Sequence, residues 1–436
     1  MRLVLLTLLV LAKTIEMKEL KLITILARHG ARYPEVADVD ERHKGQITNN
    51  GLRMCYLLGR YVREQYKLFF PESFNFNENY ILASGINRTQ QSAQAFMLGL
   101  YDFGSLNDEL EVEKEFYIPE WKGFNIEVDF KTPLPEGYQP TPVHSFSPEE
   151  NYVFASFSPS LCPKLKTFMD PKEERSDEIL GYANEMLEEL KAEGFDYEHI
   201  IGKKKFEKIS EFYKLSDYVD ASRYLGKKDI SEKLYDKLDL LDGLQVYQTF
   251  FRETEMSRYL FTGVGKLIQN SIQAAVDSIK NGQNSYRKFN LFYGHDMNLF
   301  NMYVLLGLAN YDCLKEKYLG NKTEKSCLTM PPYASSAIWE LYQDGDQFLI
   351  DFIVNGEKIG FCHKDATKSC TLDEFNEKMN GITLEGDYSA LRAQYCLDPP
   401  SNWNSFLTFV IIVDVFAIFG LGALIYRQKR KLDVFD

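Results

Sequence analysis

The sequence predicts an α/β protein with a mostly parallel sheet, helices on both faces, an inserted helical cap and a C-terminal transmembrane helix. Three observations carry that expectation. Short apolar runs alternate with helical patterns before residue 150 and after residue 245, the signature of an α/β sheet. The stretch between them is charged, helical in period and free of any convincing strand. An almost unbroken apolar run, 406–426, lies near the end of the chain. At 436 residues there is room for one large core or two medium ones. The formal net charge of −13 argues against nucleic acid as a partner, because phosphate-backbone surfaces are basic. It leaves room for a small positive pocket inside an acidic shell.

Taken in order, the chain begins with one arginine and an apolar run from Leu3 to Ala12, too short to span a bilayer and of signal-peptide length. Residues 1–15 are therefore set aside as a signal peptide, with no clear cleavage site in the segment that follows. The first part of the α/β domain is expected over 16–149. ELKLITILA, residues 19–27, reads as a buried strand ending in a glycine-containing loop. Thr48 or Asn50 is placed to cap a helix running to Tyr66, with Leu52, Leu57, Leu58 and Tyr61 on one side. Residues 79–84 read as a second strand, followed by a helix from about Thr89 to Tyr101. The insertion is expected over 150–245, where Ile179, Leu180, Ala183, Met186, Leu187 and Leu190 recur at helical spacing. The second part of the domain, 246–400, opens with a long helical pattern from about Tyr247 to Lys280. KFNLFY follows as a strand, and 336–354 alternates around Asp344-Gly345 as a hairpin.

The 21 positions of 406–426 reach about 31 Å as a helix, enough to cross a bilayer core. Asp414 lies in mid-span, where the surrounding apolar residues can outweigh its cost; pairing with a partner helix and a tolerated lone charge are equal readings of it. Arg427, Lys429, Arg430 and Lys431 come next, so the positive-inside rule puts the tail, 427–436, in the cytosol. The expectation is a single-pass type I protein whose ectodomain faces a lysosomal or secretory lumen or the outside. Seven cysteines suit an oxidising compartment. Six of them can form three bridges in any of 15 connectivities. Cys313 with Cys327 and Cys362 with Cys370 each close a short polar loop, which leaves Cys162 with Cys396. Cys55 sits in an apolar helical pattern and reads as a free core thiol. No CxxC pair occurs, so no metal is expected. Asn321 heads a glycosylation sequon; Asn87 heads another, which the position of its neighbour Arg88 is expected to bury.

Three segments carry chemistry. Arg28-His29-Gly30-Ala31-Arg32-Tyr33-Pro34 follows the first strand directly, and ligands of open α/β sheets bind beyond strand C-termini. Two arginines offer planar forks of donors to phosphate oxygens. Gly30 is expected to let the backbone approach closely. A histidine among arginines has its pKa pushed down, which keeps the imidazole neutral and nucleophilic. Gly294-His295-Asp296 ends another strand, and a carboxyl beside a histidine can act as a general acid. Arg88 stands between a third strand and a helix. His43, His144, His199 and His363 lie in polar segments without ligand spacing and read as surface residues.

In these segments the sequence resembles the histidine acid phosphatases, the prostatic and lysosomal acid phosphatase-like branch of the histidine phosphatase superfamily. RHGARYP fits the signature RHGxRxP, YGHD fits the downstream His-Asp motif, and GQITNNGLRMCYLLGRYVRE, INRTQQSAQAFMLGLY and PPYASSAIWELY are similar to further stretches. The resemblance implies a phosphoglycerate mutase-like fold and hydrolysis of phosphate monoesters, small-molecule or protein, without a cofactor. It implies that His29 attacks phosphorus, that Arg28, Arg32, Arg88 and His295 bind the phosphate oxygens, and that Asp296 protonates the leaving oxygen. A homodimer is a family-level expectation. Leu82-Ala83-Ser84 departs from the Arg-Ser-Thr common in relatives, and Met54 stands where Gln is frequent. Two alternatives come from other classes: a catalytically silent, membrane-anchored binding ectodomain, and a phosphomutase-like member of the superfamily.

Overall fold

Strand β1 (Glu19–Arg28) is buried from Leu22 onward, and its side chains divide between two cores. Leu22 and Leu26 join one apolar cluster, whereas Ile23, Ile25 and Ala27 join another, the period-2 alternation of a strand covered on both faces. The computed structural model describes residues 18–397, except 37–39, 106–108, 111–118, 120–130, 228, 284 and 322–326. The expected signal peptide, the span 406–426 and the tail lie outside the described residues. Among the described residues no helix is long and apolar enough to cross a membrane.

After β1 come α1 (Asn49–Gln65), β2 (Asn79–Ala83), α2 (Asn87–Leu100) and the short β3 (His144–Ser145). The hydroxyl of Thr48 caps α1 by accepting from the Gly51 amide. The buried stripe of α1 is Gly51, Cys55, Gly59 and Val62, not the large apolar side expected; Leu57 and Tyr61 are exposed. Small residues win that face because neighbouring backbone lies against it. A Cβ on Gly51 would lie 2.0 Å from the Ala31 carbonyl oxygen, and one on Gly30 would lie 2.2 Å from that of Gly51. The close approach that Gly30 permits is thus to α1 rather than to a ligand.

The insertion folds into α3 (Glu174–Ala192), α4 (Tyr213–Tyr224) and α5 (Glu232–Val246), with Ile179, Met186 and Leu190 of α3 in one core with Leu238 and Leu241 of α5. The long helix expected from Tyr247 begins later. A π-helical turn occupies Tyr247–Phe251, and α6 runs over Thr254–Lys280. Arg252 marks the break: its guanidinium donates to the carbonyls of Phe168, Gln248 and Thr249, taking up groups the helix leaves unpaired. Beyond short helical turns, the chain continues through β4 (Phe289–Gly294), α7 (Asp296–Leu305), α8 (Tyr311–Tyr318), the hairpin β5 (Ser336–Asp344) and β6 (Gln347–Val354), β7 (Glu357–Lys358), β8 (Cys370–Thr371), α9 (Leu372–Ile382) and α10 (Tyr388–Tyr395).

The sheet order is β3-β2-β4-β1-β5-β6-β7, with β8 paired to β6. Strands β3, β2, β4 and β1 are parallel, but β5, β6, β7 and β8 pair antiparallel. The sheet is mixed rather than mostly parallel. The tight turn between Asp344 and Gln347 returns the chain at once, and such a turn joins only antiparallel strands; parallel neighbours need a crossover. Helices α1 and α2 cover the face of Ile23 and Ile25, and α6 and α7 cover the face of Leu22 and Leu26.

Cys162–Cys396, Cys313–Cys327 and Cys362–Cys370 are bonded, and Cys55 is free and buried. Asn321 is exposed. Asn87 is exposed too, contrary to expectation; it is Thr89 that is buried, its hydroxyl donating to the carbonyls of Ser84 and Ile86. Replacing Gly51 by Ala forces the start of α1 away from the loop after β1. We expect a destabilisation of about 3 kcal/mol, measured by denaturant unfolding, with loss of any activity that depends on that loop.

Candidate active site

Parallel pairing brings the C-terminal ends of β1, β2 and β4 to one edge of the sheet, and backbone hydrogen bonds hold the loops beyond them together. The His29 amide donates to the Gly294 carbonyl at 3.2 Å, the Ser84 amide to Tyr293 at 2.9 Å, and the Ala334 amide to His29 at 3.1 Å. His29, His295, Arg32, Arg88 and Asp296 line one cavity of about 350 Å³. Arg28 stands in the wall of an adjoining cavity of about 220 Å³, and the two share Arg32, Tyr213, Asp242, Asp296 and Met330. All six residues singled out by sequence for the chemistry therefore lie around one divided cleft.

The His29 ring is buried, with Nδ1 2.9 Å from its neighbour's carbonyl, Gly30 O, and Nε2 3.0 Å from Arg88 Nε. A carbonyl only accepts and a guanidinium only donates. The ring proton therefore sits on Nδ1, and the Nε2 lone pair accepts from Arg88 at the cavity wall. Burial first, and then the charges of Arg88, His295, Arg28 and Arg32, hold the His29 pKa well below the ordinary histidine range. His295 is similarly pushed down to about 3, by burial and then by Arg88. Its Nε2 lies 2.9 Å from the Ser84 hydroxyl, which accepts from Asn151 Nδ2 at 2.7 Å.

Each arginine is matched to a carboxylate. Arg28 Nη2 is 2.8 Å from Asp296 Oδ2 and 3.7 Å from Asp220, while its other terminal nitrogen donates to the Pro331 carbonyl and its plane lies 3.9 Å over the Tyr333 ring. Arg32 Nη2 donates to Asp217 at 2.6 Å. Arg88, in the first turn of α2 rather than in the loop before it, pairs with Glu35 at 2.8 Å. The Nε–H groups of Arg28 and Arg32 are buried without a hydrogen-bond partner. Buried donors of this kind are ordinarily satisfied, and an oxyanion in the cleft would satisfy them. Burial pushes the Asp296 carboxyl up, but Arg28, His295 and Arg32 outweigh it and hold the group below the usual carboxylate range.

Glu35, Ser84, Asp217, Asp220, Asp242 and Tyr333 belong to the site and were not singled out by sequence. Asp217 and Asp220 carried a signal: both sit in α4 among the buried positions Leu215, Ser216, Val219 and Ala221. An acid on the buried side of a helix calls for a counter-charge. Asp242 lies on α5, and burial pushes its carboxyl up to about 7. Of the histidines read as surface residues, His43 stacks on Tyr33, His144 stacks on Tyr80, and His363 lies 3.4 Å from Glu374.

Residues 39–355 match the family model described as histidine phosphatase superfamily (branch 2). The chain belongs to that superfamily. Mouse prostatic acid phosphatase is 24% identical over 387 residues, covering 84% of this chain and 87% of the relative. Lysosomal acid phosphatase of Xenopus laevis is 30% identical over 155 residues, covering 34% and 30%. Among solved structures, the Citrobacter braakii phytase superimposes with a TM-score of 0.55 at 14% identity, covering 84% of this chain and 98% of that one. A Hafnia alvei phytase in complex with myo-inositol hexakis sulphate gives 0.55 at 14% identity, covering 84% and 99%. The structural likenesses establish the shared fold, and membership of the superfamily supports phosphatase activity.

In this histidine phosphatase the counter-charge from the cap is open to test. Asp217→Ala removes the partner of Arg32 and an acceptor of the Glu35 and Val36 amides. We expect a loss of about 3 kcal/mol of stability, measured by denaturant unfolding.

Proposed function

We propose that the chain is an acid phosphatase that hydrolyses phosphate monoesters through a phosphohistidine on His29. The observation that carries this reading is the His29 Nε2 lone pair, free of a proton and accepting from Arg88 at the cavity wall. An arriving phosphate dianion competes for the Arg88 Nε–H, which turns from the ring nitrogen to a phosphate oxygen and frees the lone pair. Nε2 then attacks phosphorus, the P–N bond forms and the bond to the ester oxygen breaks. Arg28, Arg32, Arg88 and His295 stabilise the charge on the non-bridging oxygens. Asp296 gives its proton to the departing oxygen. Water completes the cycle by attacking phosphorus and breaking the P–N bond, its proton returning to Asp296.

In the free site Asp296 is ionised against Arg28. A bound dianion draws Arg28 toward itself and adds negative charge, and both effects raise the carboxyl and load it with the proton that the leaving group needs. We also read 406–426 as a membrane anchor, with the three disulfides on the oxidising side of the membrane.

His29→Ala is expected to lower kcat on 4-nitrophenyl phosphate by about 10⁴-fold or more. Rapid quenching of the wild type with labelled substrate should trap an acid-labile, base-stable phosphoramidate that the variant lacks. Hydrolysis at the wild-type rate by the variant would remove the mechanism.

Activity should peak in acid. As pH rises through about 7, Asp242 ionises and adds a negative charge near Asp296, Asp220 and Arg28, which opposes a phosphate dianion. Asp296 is also less readily reprotonated. A profile of kcat/KM from pH 4 to 9 should fall above neutrality, and a maximum above pH 8 would contradict the assignment.

A further inference from the structure

This inference rests on the monoesterase reading and concerns what the phosphate is attached to. The lining of the 350 Å³ cavity is partly charged and partly apolar. His29, Arg32, Arg88 and His295 belong to the first part; Phe157, Met169, Val246, Phe250, Met297 and Met330 make up most of the second, with the Phe157 ring 5.7 Å from that of His295. Among the described residues lining it there is no lysine, and no arginine beyond Arg32 and Arg88. The adjoining cavity offers a second anion nothing better. Its walls include Asp217, Asp220, Asp239 and Asp242; of its arginines, Arg28 and Arg32 serve the reacting phosphate and Arg223 is paired with Glu232. A carboxyl is neutral or negative and at no pH positive. A second phosphate on the substrate would thus lose its water in either direction without meeting a free cation.

We propose that the substrate carries a single phosphate on an apolar leaving group, selected by the wall of Phe157, Met169, Val246, Phe250, Met297 and Met330. An apolar body displaces water from that wall, which is favourable in proportion to the area covered. The volume agrees. Ligand pockets run from about 300 to 1,000 Å³, so about 350 Å³ is small: enough for a phosphate with a one- or two-ring body or a short chain. Selection falls on the leaving group because the phosphate end is filled by the reacting group of every monoester.

The test compares kcat/KM of the full-length chain at one acid pH for 1-naphthyl phosphate, glycerol 2-phosphate and myo-inositol hexakisphosphate. The naphthyl ester should exceed the hexakisphosphate by about 100-fold or more, and glycerol 2-phosphate should fall between. Phe250→Ala and Met169→Ala should each narrow the ratio of naphthyl to glycerol ester by about fivefold, through KM for the naphthyl ester. Equal or better cleavage of the hexakisphosphate overturns the inference. So does a naphthyl-to-glycerol ratio that neither variant moves. A chain that cleaves all three alike loses this inference alone, whereas one that cleaves none loses the monoesterase reading with it.

Discussion

Three guanidinium groups buried around one imidazole impose the constraint that organises the site. Buried charge of one sign is unstable unless it is paired, and each arginine here has its own carboxylate: Asp296 for Arg28, Asp217 for Arg32 and Glu35 for Arg88. The three come from different places, α7, α4 and the loop after β1. Balance is local, so each guanidinium can be loosened by an arriving anion without leaving the others exposed. Burial first, and then the same positive charges, hold the His29 pKa well below the ordinary histidine range. Cations that would bind a phosphate thus also keep the nearby imidazole unprotonated in acid.

That constraint changes how the helical insertion is understood. Were it only a cover, its contacts with the cleft would be apolar and exchangeable. Instead α4 sends Asp217 and Asp220 to the arginines, and α5 contributes Asp242. Its apolar face joins the core that holds Leu22 and Leu26 of β1. The cap and the sheet therefore share one core and one charge balance, and the cleft between them is assembled by both.

Legibility differed by the range of the interaction involved. RHGARYP, Arg88 and YGHD stood out because each follows a strand, and a strand's apolar run is a property of a few consecutive residues. The turn at Asp344-Gly345 was legible for the same reason, although its consequence, an antiparallel half-sheet, was not drawn. Errors arose where a distant neighbour decides. Leu57 and Tyr61 seemed the inner face of α1 by hydrophobicity, but the Ala31 carbonyl excludes any side chain larger than glycine at Gly51 and so turns that helix over. The helix expected from Tyr247 starts only at Thr254, after a π-helical turn whose Gln248 and Thr249 carbonyls accept from Arg252. Ser84 looked like a departure from a familiar pattern; its link to His295 and Asn151 joins positions 67 and 211 residues apart.

By itself the sequence determined the strands that end at the cleft, the residues that carry its positive charge and the superfamily they indicate, since these follow from local periodicity and short motifs. The tertiary structure alone decided which carboxylate balances which arginine, which ring nitrogen of His29 keeps its proton and which residues line the cleft. Those depend on distances of a few ångströms between segments far apart in the chain, and electrostatic and hydrogen-bond energies change steeply over such distances.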